Sequence, residues 1–262
     1  MSENKFNLPE SSAHSFESFH LPKHLKNVGI MSDLHTPYHN IPAIDEALSY
    51  FIAKNVDCIL LNGDILDFYQ QSRFEPDPRE RHFKDELQAF KELIGVIQSH
   101  VTRNIFYKLG NHEERYERHM IKYSAEFLDI DVFSFENVTG CIEMGVTVIK
   151  DKRIVMAGNL PVYHGHEIAM RSAIVNPART LYLKTGASGI CSHLHVSSQH
   201  SQNTVRGSQY CYSTGHMGEE HPKYLPVNQW NLGCARIEKD ESGDFEVINF
   251  GLRKNKLFAV TA

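Results

Sequence analysis

Ile105-Phe106-Tyr107-Lys108-Leu109-Gly110-Asn111-His112-Glu113 is the stretch that decides the fold. Its β-prone first half reads as a strand, and Gly110 marks where that strand ends. An amide, an imidazole and a carboxylate follow in succession at the strand's carboxyl end, where open α/β sheets bind ligands. Taken alone, Gly-Asn-His-Glu is equally an ordinary turn. What separates the two readings is whether other strands end the same way.

They do. Upstream, Val28-Gly29-Ile30-Met31 is a short apolar strand followed by Ser32-Asp33-Leu34-His35, and an Asp and a His two apart can point the same way. Pro42 opens a helix running to Lys54, with Ile44, Leu48, Phe51 and Ile52 at helical spacing. The strand Cys58-Ile59-Leu60-Leu61 then ends in Asn62-Gly63-Asp64-Ile65-Leu66-Asp67. A loop from Phe68 to Pro78 leads to an amphipathic helix over 82–99, and a third helix is predicted from Glu114 to about Phe127. Strand, helix, strand implies parallel strands joined by right-handed crossovers. After Val132 the texture turns β-rich: 146–149, 154–157 and 161–163 read as strands, the last ending in His164-Gly165-His166-Glu167. A helix over 176–184 and a strand over 189–191 lead to Ser192-His193-Leu194-His195, and strands are expected around 204–205, 210–212, 234–237 and 245–250. The chain by itself thus argues for βαβαβ followed by a β-rich half.

Composition bounds the rest. With 262 residues, 41% hydrophobic and 23% charged, one globular domain over 26–262 is expected, after a polar arm at 1–25 expected to be disordered or draped on the surface. A net charge of -5 gives no global basic field for coating nucleic acid. The five cysteines are widely spaced and odd in number, which suggests reduced thiols. With no signal-like or membrane-spanning run, a soluble cytoplasmic protein is expected. The 16 histidines are the outlier. Zinc-protease, deaminase and phosphate-loop motifs are absent.

In chain order the strand-end groups are Asp33, His35, Asp64, Asn111, His112, His164, His193 and His195. Carboxylate, imidazole and amide oxygen together suit divalent ions such as Mn²⁺, Fe²⁺, Zn²⁺ or Ni²⁺, and so many donors suit two ions.

The blocks Asp33-Leu34-His35, Gly63-Asp64-Ile65-Leu66-Asp67, Gly110-Asn111-His112-Glu113, His164-Gly165 and His193-Leu194-His195 resemble, in order, the signature of the calcineurin-like metallophosphoesterases. The resemblance implies a four-layer αββα sandwich, two mixed β-sheets flanked by helices. It implies that Asp33, His35, Asp64 and His195 surround one metal and that Asp64, Asn111, His164 and His193 hold the other, Asp64 bridging. It also implies hydrolysis of phosphate mono- or diesters by a hydroxide bridging two divalent ions, Mn²⁺ foremost with Fe, Zn or Ni also possible. His112 would then be a catalytic proton donor or phosphate-orienting group. Ser192 departs from the Gly usual before His-x-His. His164 and His166 compete for the fourth block; His164 precedes Gly165 and is preferred, with His166 placed behind the ligands.

Asp67 is expected to orient a ligand imidazole or brace its loop. Glu113 is expected to hold the other ring nitrogen of His112 or to cap the following helix, so that Glu113→Gln hurts less than changes at its neighbours. Arg115 and Arg73 are candidate phosphate binders. The partner is a phosphate ester, possible classes including nucleotide and nucleic acid, with no membrane. Within the same family a DNA exonuclease would draw on Arg73, Arg79 and Arg81 with Phe68, Tyr69 and Phe74 for base stacking. A catalytically dead scaffold is the third reading. The ten histidines outside the blocks, His39 and His216 among them, are read as surface residues, these two bordering the cleft.

Overall fold

The computed structural model describes residues 5–12, 17–72, 77, 79, 83–171, 174–205 and 207–261. Two mixed sheets lie face to face between layers of helices. The first elements are β1 (Phe19–His20), β2 (Asn27–Met31), α1 (Ile41–Ala53), β3 (Cys58–Asn62), α2 (Phe83–His100) and β4 (Ile105–Lys108). They are followed by α3 (Glu114–Tyr123), α4 (Phe135–Thr139), β5 (Thr147–Ile149), β6 (Val155–Ala157) and β7 (Leu160–Val162). The chain closes with α5 (Pro177–Thr185), β8 (Gly189–Cys191), β9 (Ser198–Thr204), β10 (Gly207–Ser213), β11 (Gly233–Lys239), β12 (Phe245–Arg253) and β13 (Lys256–Ala259).

One sheet runs β13-β12-β11-β2-β3-β4-β5 and the other β1-β6-β7-β8-β10-β9. Strands β2, β3, β4 and β5 pair in parallel, as do β7 and β8, so the loops after β2, β3 and β4 leave one sheet at the same end. Alternation along the strands builds the layers. Val28, Ile30, Cys58, Leu60 and Phe106 meet Val155, Val162 and Ile190 of the opposite sheet. Met31, Ile59, Leu61 and Tyr107 turn to the other side, where Phe51 of α1 and Phe90 and Ile94 of α2 cover them. Helix α5 covers the outer face of the second sheet through Ala178 and Leu181. Strands buried on both faces explain why β2, β3 and β4 read as unbroken apolar runs. The expected αββα sandwich is the observed one.

Three local expectations change. The arm is not loose throughout: Phe19 and His20 pair with Val155 and Met156, and Leu21 and Leu25 are buried, because those apolar side chains fill the edge of the inter-sheet core. Helix α3 stops at Tyr123, where Ser124 takes φ -150 and ends the run; 3-10 turns follow instead of helix to Phe127. Phe68 is fully buried, its ring packed among Phe83, Tyr116 and Phe135 at 5.7 to 6.0 Å, so it is a core residue unavailable for base stacking.

Candidate metal centre

The loops after β2, β3, β4, β7 and β8 converge. Backbone hydrogen bonds from Asp33 N to Gly63 O and from His35 N to Asp64 O tie the first loop to the second. His112 N donates to Asp64 Oδ1 at 2.9 Å and brings in the third, while His193 N donates to Asp33 Oδ2 at 3.1 Å and brings in the last. Asp33, His35, Asp64, His193 and His195 all have positive φ, between 49 and 71°. Such conformations strain a non-glycine residue by on the order of 1 kcal/mol or more each, and they gather where a site over-determines the backbone. Ser192 is not among them. The left-handed turn falls on His193 instead, and Ser192 Oγ lies 2.9 Å from both Asn62 Nδ2 and Thr214 Oγ1, so no glycine is needed there.

Glycine is needed at Gly110 and Gly63. A β-carbon on Gly110 would lie 2.3 Å from Asp64 Oδ1, and one on Gly63 2.3 Å from His164 Nδ1. Both loops close over a ligand carboxylate or imidazole with no room to spare.

Among the described residues the possible donor atoms fall into three sets, the atoms of each lying within 4.8 Å of one another: Asp33, His35 and His195; Asp64, His164 and His193; and His35, Asp67 and His112. His195 Nε2 is 3.2 Å from Asp33 Oδ1 and 3.4 Å from His35 Nε2. His164 Nε2 is 3.4 Å from Asp64 Oδ2. The tautomers agree with this use: His164 Nδ1 donates to Asn62 O at 2.8 Å, leaving the Nε2 lone pair facing Asp64, and His35 Nδ1 lies 3.3 Å from Asp67 Oδ1. The Asp67 carboxylate thus stands beside His35, and it lies 3.2 Å from His112 Nδ1 as well.

His166 packs against His164, ring centroids 5.2 Å apart, but its own nitrogens face two carboxylates. Its Nε2 lies 2.9 Å from Glu114 Oε1, and Glu167 stands 3.4 Å from its Nδ1. Arg115 donates to Asp67 O at 2.8 Å and to His112 Nε2 at 2.7 Å, so it is engaged with the catalytic candidate. Arg73 lies outside the described residues, as do Phe74 and Arg81. Arg79 is paired with Asp77 at 2.7 Å.

The expectation for Glu113 is overturned. Its buried carboxylate neither holds His112 nor caps α3; it accepts from Gly110 N at 2.7 Å, Asp64 N at 3.0 Å, Ile65 N at 2.8 Å, Leu66 N at 3.1 Å and Tyr107 Oη at 2.7 Å. One charge fastens the β3 loop to the β4 loop.

A profile of the calcineurin-like phosphoesterase family matches residues 26–222. The chain belongs to the calcineurin-like phosphoesterase family. No curated protein matches it. Similar solved structures include Vacuolar Protein Sorting 29 from Cryptosporidium parvum, at 12% identity over 90% of this chain and 95% of that one, TM-score 0.47. A dimetal phosphatase from Danio rerio is 10% identical over 90% and 99%, TM-score 0.45. Vps29 complexed with Zn²⁺ from Entamoeba histolytica is 12% identical over 88% and 96%, TM-score 0.44.

Do the residues of this family member fit metal ions? Asp33 Oδ1, Asn111 Oδ1, His164 Nε2 and His193 Nδ1 are all buried with no hydrogen-bond partner in the protein. A buried polar atom without a partner costs about 1–3 kcal/mol, and four from four loops and both sheets are not a packing accident. The electrostatics agree. Burial opposes ionisation of Asp33 and Asp64, yet His195 in one case and His112 and His164 in the other hold them below the usual carboxylate range. Burial likewise opposes a charge on His164, but Asp64 lifts it to about 10, whereas burial and the neighbouring His164 push His193 down to about 4. Two buried carboxylates thus draw positive charge inward, which a divalent cation supplies with the imidazoles neutral. The donor set fits.

Two groups escaped the sequence reading. Lys108 is fully buried, its Nζ 3.1 Å from Glu167 Oε1 and donating to Arg153 O at 2.7 Å, while Glu167 accepts from the amides of His164 and Gly165. A strand lysine thereby fixes the His164 loop. His216, read as a surface residue, is 1% exposed and stacks on His195 with ring centroids 4.8 Å apart and planes at 13°. Trp230 stands edge-on to His195 at 4.3 Å. No motif spacing connects these positions to the blocks.

Proposed function

We propose that this chain is a metal-dependent phosphoesterase hydrolysing phosphate mono- or diesters with two divalent ions, Mn²⁺ foremost, with Fe, Zn or Ni also compatible with the donors. One observation supports the reading above others: on strand-end loops of a calcineurin-like domain, Asp33, His35 and His195 gather in one set and Asp64, His164 and His193 in another, and Asp33, Asn111, His164 and His193 each keep a buried atom with no hydrogen-bond partner in the protein. Asp33, His35 and His195 would hold one ion and Asn111, His164 and His193 the other, with Asp64 shared. When bound, such a pair polarises a phosphate and acidifies a water for in-line attack.

The protein's own part is proton handling and positioning. His112 keeps a proton on Nδ1, which faces the carbonyl oxygen of Asp67 at 2.9 Å and the Asp67 carboxylate at 3.2 Å. In the proposed step Arg115 turns from Nε2 to the phosphate, Nε2 takes up a proton from solvent, and that proton passes to the leaving alkoxide. His166 and Glu167 act behind His164.

Purified protein with Mn²⁺ should then cleave a chromogenic phosphate ester, with Asp64→Asn and Asn111→Ala inactive. Undiminished activity of Asp64→Asn would remove its shared role. A panel of monoester, diester, cyclic nucleotide and single- and double-stranded DNA on wild type and His112→Ala separates the substrate classes. Nuclease action predicts affinity falling steeply with salt. It is the weaker reading, since Phe68 is in the core and Arg79 is paired with Asp77. The five cysteines are free and buried, which suits a cytoplasmic location, and no helix of the described residues is long and apolar enough to cross a membrane.

A further inference from the structure

A slot of about 340 Å³ opens beside the metal-binding candidates, lined by His35 and Asp67 together with Tyr38, His216, Tyr224 and Trp230. It is the right kind of place for the group a phosphate ester carries. His35 and Asp67 are the residues that bind or orient at the reacting end, so whatever is esterified to a phosphate there must project past them. A larger cavity of about 420 Å³ lies across α3, around Tyr116, Met120 and Phe133, and holds none of the expected metal ligands.

The walls are flat rings. Trp230 and Tyr224 have centroids 6.4 Å apart at 63°, and Trp230 faces His216 at 5.5 Å and 65°. These rings present both faces and edges to the slot, the surroundings a planar group requires. The polar groups carry both signs: Glu219 on one hand and Lys223 on the other. His216 adds a buried donor. Its Nδ1 accepts from Gly218 N at 3.3 Å, which leaves the ring proton on Nε2, and Nε2 has no partner in the protein. A plain aryl ring would stack but offer no acceptor to His216 Nε2, whereas a nucleobase is flat and bears donors and acceptors along its edge.

We infer that this slot is a nucleobase subsite, and that the chain's phosphate ester is a nucleotide whose base stacks on Trp230 while its phosphate sits at the metal end. The inference rests on the phosphoesterase reading and narrows it. Tyr224 and Trp230 fall outside residues 26–222, the span matched to the family, whereas His35, Tyr38, Asp67 and His216 lie within it.

The test has a readout independent of catalysis, because Trp230 is the single tryptophan. Adenosine, which carries no phosphate, should quench its fluorescence saturably in protein without added metal, and glycerol should not. With Mn²⁺, kcat/KM for adenosine 5′-monophosphate should exceed that for phenyl phosphate and glycerol phosphate at least tenfold. Trp230→Ala should cost the nucleotide at least ten times more than it costs glycerol phosphate, or about 1.4 kcal/mol. Tyr224, 70% exposed, gives a second variant whose fold is not in question, and Tyr224→Ala should shift the same ratio at least threefold. Absence of quenching together with equal losses on both substrates overturns the subsite, and so does a preference for phenyl phosphate over the nucleotide. Saturable quenching in a protein that hydrolyses no ester keeps the subsite and removes the phosphoesterase reading.

Discussion

Replacing Glu113 by Gln changes one atom, yet the geometry makes it one of the most damaging substitutions available. Oε1 accepts from Ile65 N, Leu66 N and Tyr107 Oη, and Oε2 from Asp64 N and Gly110 N. A glutamine can place its one oxygen at the first position only by setting its NH₂ against the amides of Asp64 and Gly110. Hydrogen bonds to a charged partner are worth about 1.5–3 kcal/mol each, so the two lost bonds cost roughly 3–6 kcal/mol before the weakening of the other three. Against a total stability of about 5–15 kcal/mol that is a large share. For a chain of this length it should lower Tm by roughly 6–24 °C. Thermal unfolding followed by circular dichroism, with and without Mn²⁺, measures it. Because the broken bonds hold the Asp64 amide, Mn²⁺ affinity should fall too, whereas Tyr107→Phe, which loses one bond, should cost about a third as much. A Tm within 2 °C of wild type and unchanged metal affinity would refute the reasoning.

Lys108→Met should destabilise the protein by about 3–5 kcal/mol in urea, since it strands the buried Glu167 carboxylate without its cation; a loss under 1 kcal/mol would contradict the pairing. Gly110→Ala should weaken metal binding at least tenfold by calorimetry, because its methyl must displace Asp64, and unchanged affinity would show that the loop relaxes freely. Glu86 supplies a pH signature: burial, in spite of the hydrogen bond from Phe68 N, raises its carboxyl from 4.5 to about 8. A pKa raised on folding contributes stability that is complete below the unfolded value and is lost as pH rises through the folded one. Glu86→Gln, which keeps the acceptor, should therefore gain on wild type between pH about 4.5 and 8, by up to about 5 kcal/mol, and a difference flat with pH would contradict the assignment.

The strands that carry the donors were legible because they are buried on both faces and end in glycine-punctuated polar blocks, so periodicity and punctuation located them together. The donors themselves followed from block order. What stayed hidden is contact between positions distant in the chain. Ser198–Thr204 forms a strand although its residues are mostly polar, because β10 pairs with it along its length. Phe68 sits in an aromatic and basic loop and reads as a base-stacking residue, yet a left-handed turn, φ 46, sends it into the core. Glu113 follows His112 in sequence, which suggests service to that imidazole; the fold instead sets it beneath the β3 loop, where four amides converge. His216 and Trp230 carry no motif, and only the return of the chain after β10 lays them against His195.

The central claim is that two cations sit at the ends of these strands, and anomalous diffraction from crystals grown with Mn²⁺ tests it most directly. Two peaks are expected, one among Asp33, His35 and His195 and one among Asp64, Asn111, His164 and His193, about 3.5–4 Å apart, with the Asp64 carboxylate touching both. No peak at these residues, in crystals of protein saturated with the metal, would contradict the account.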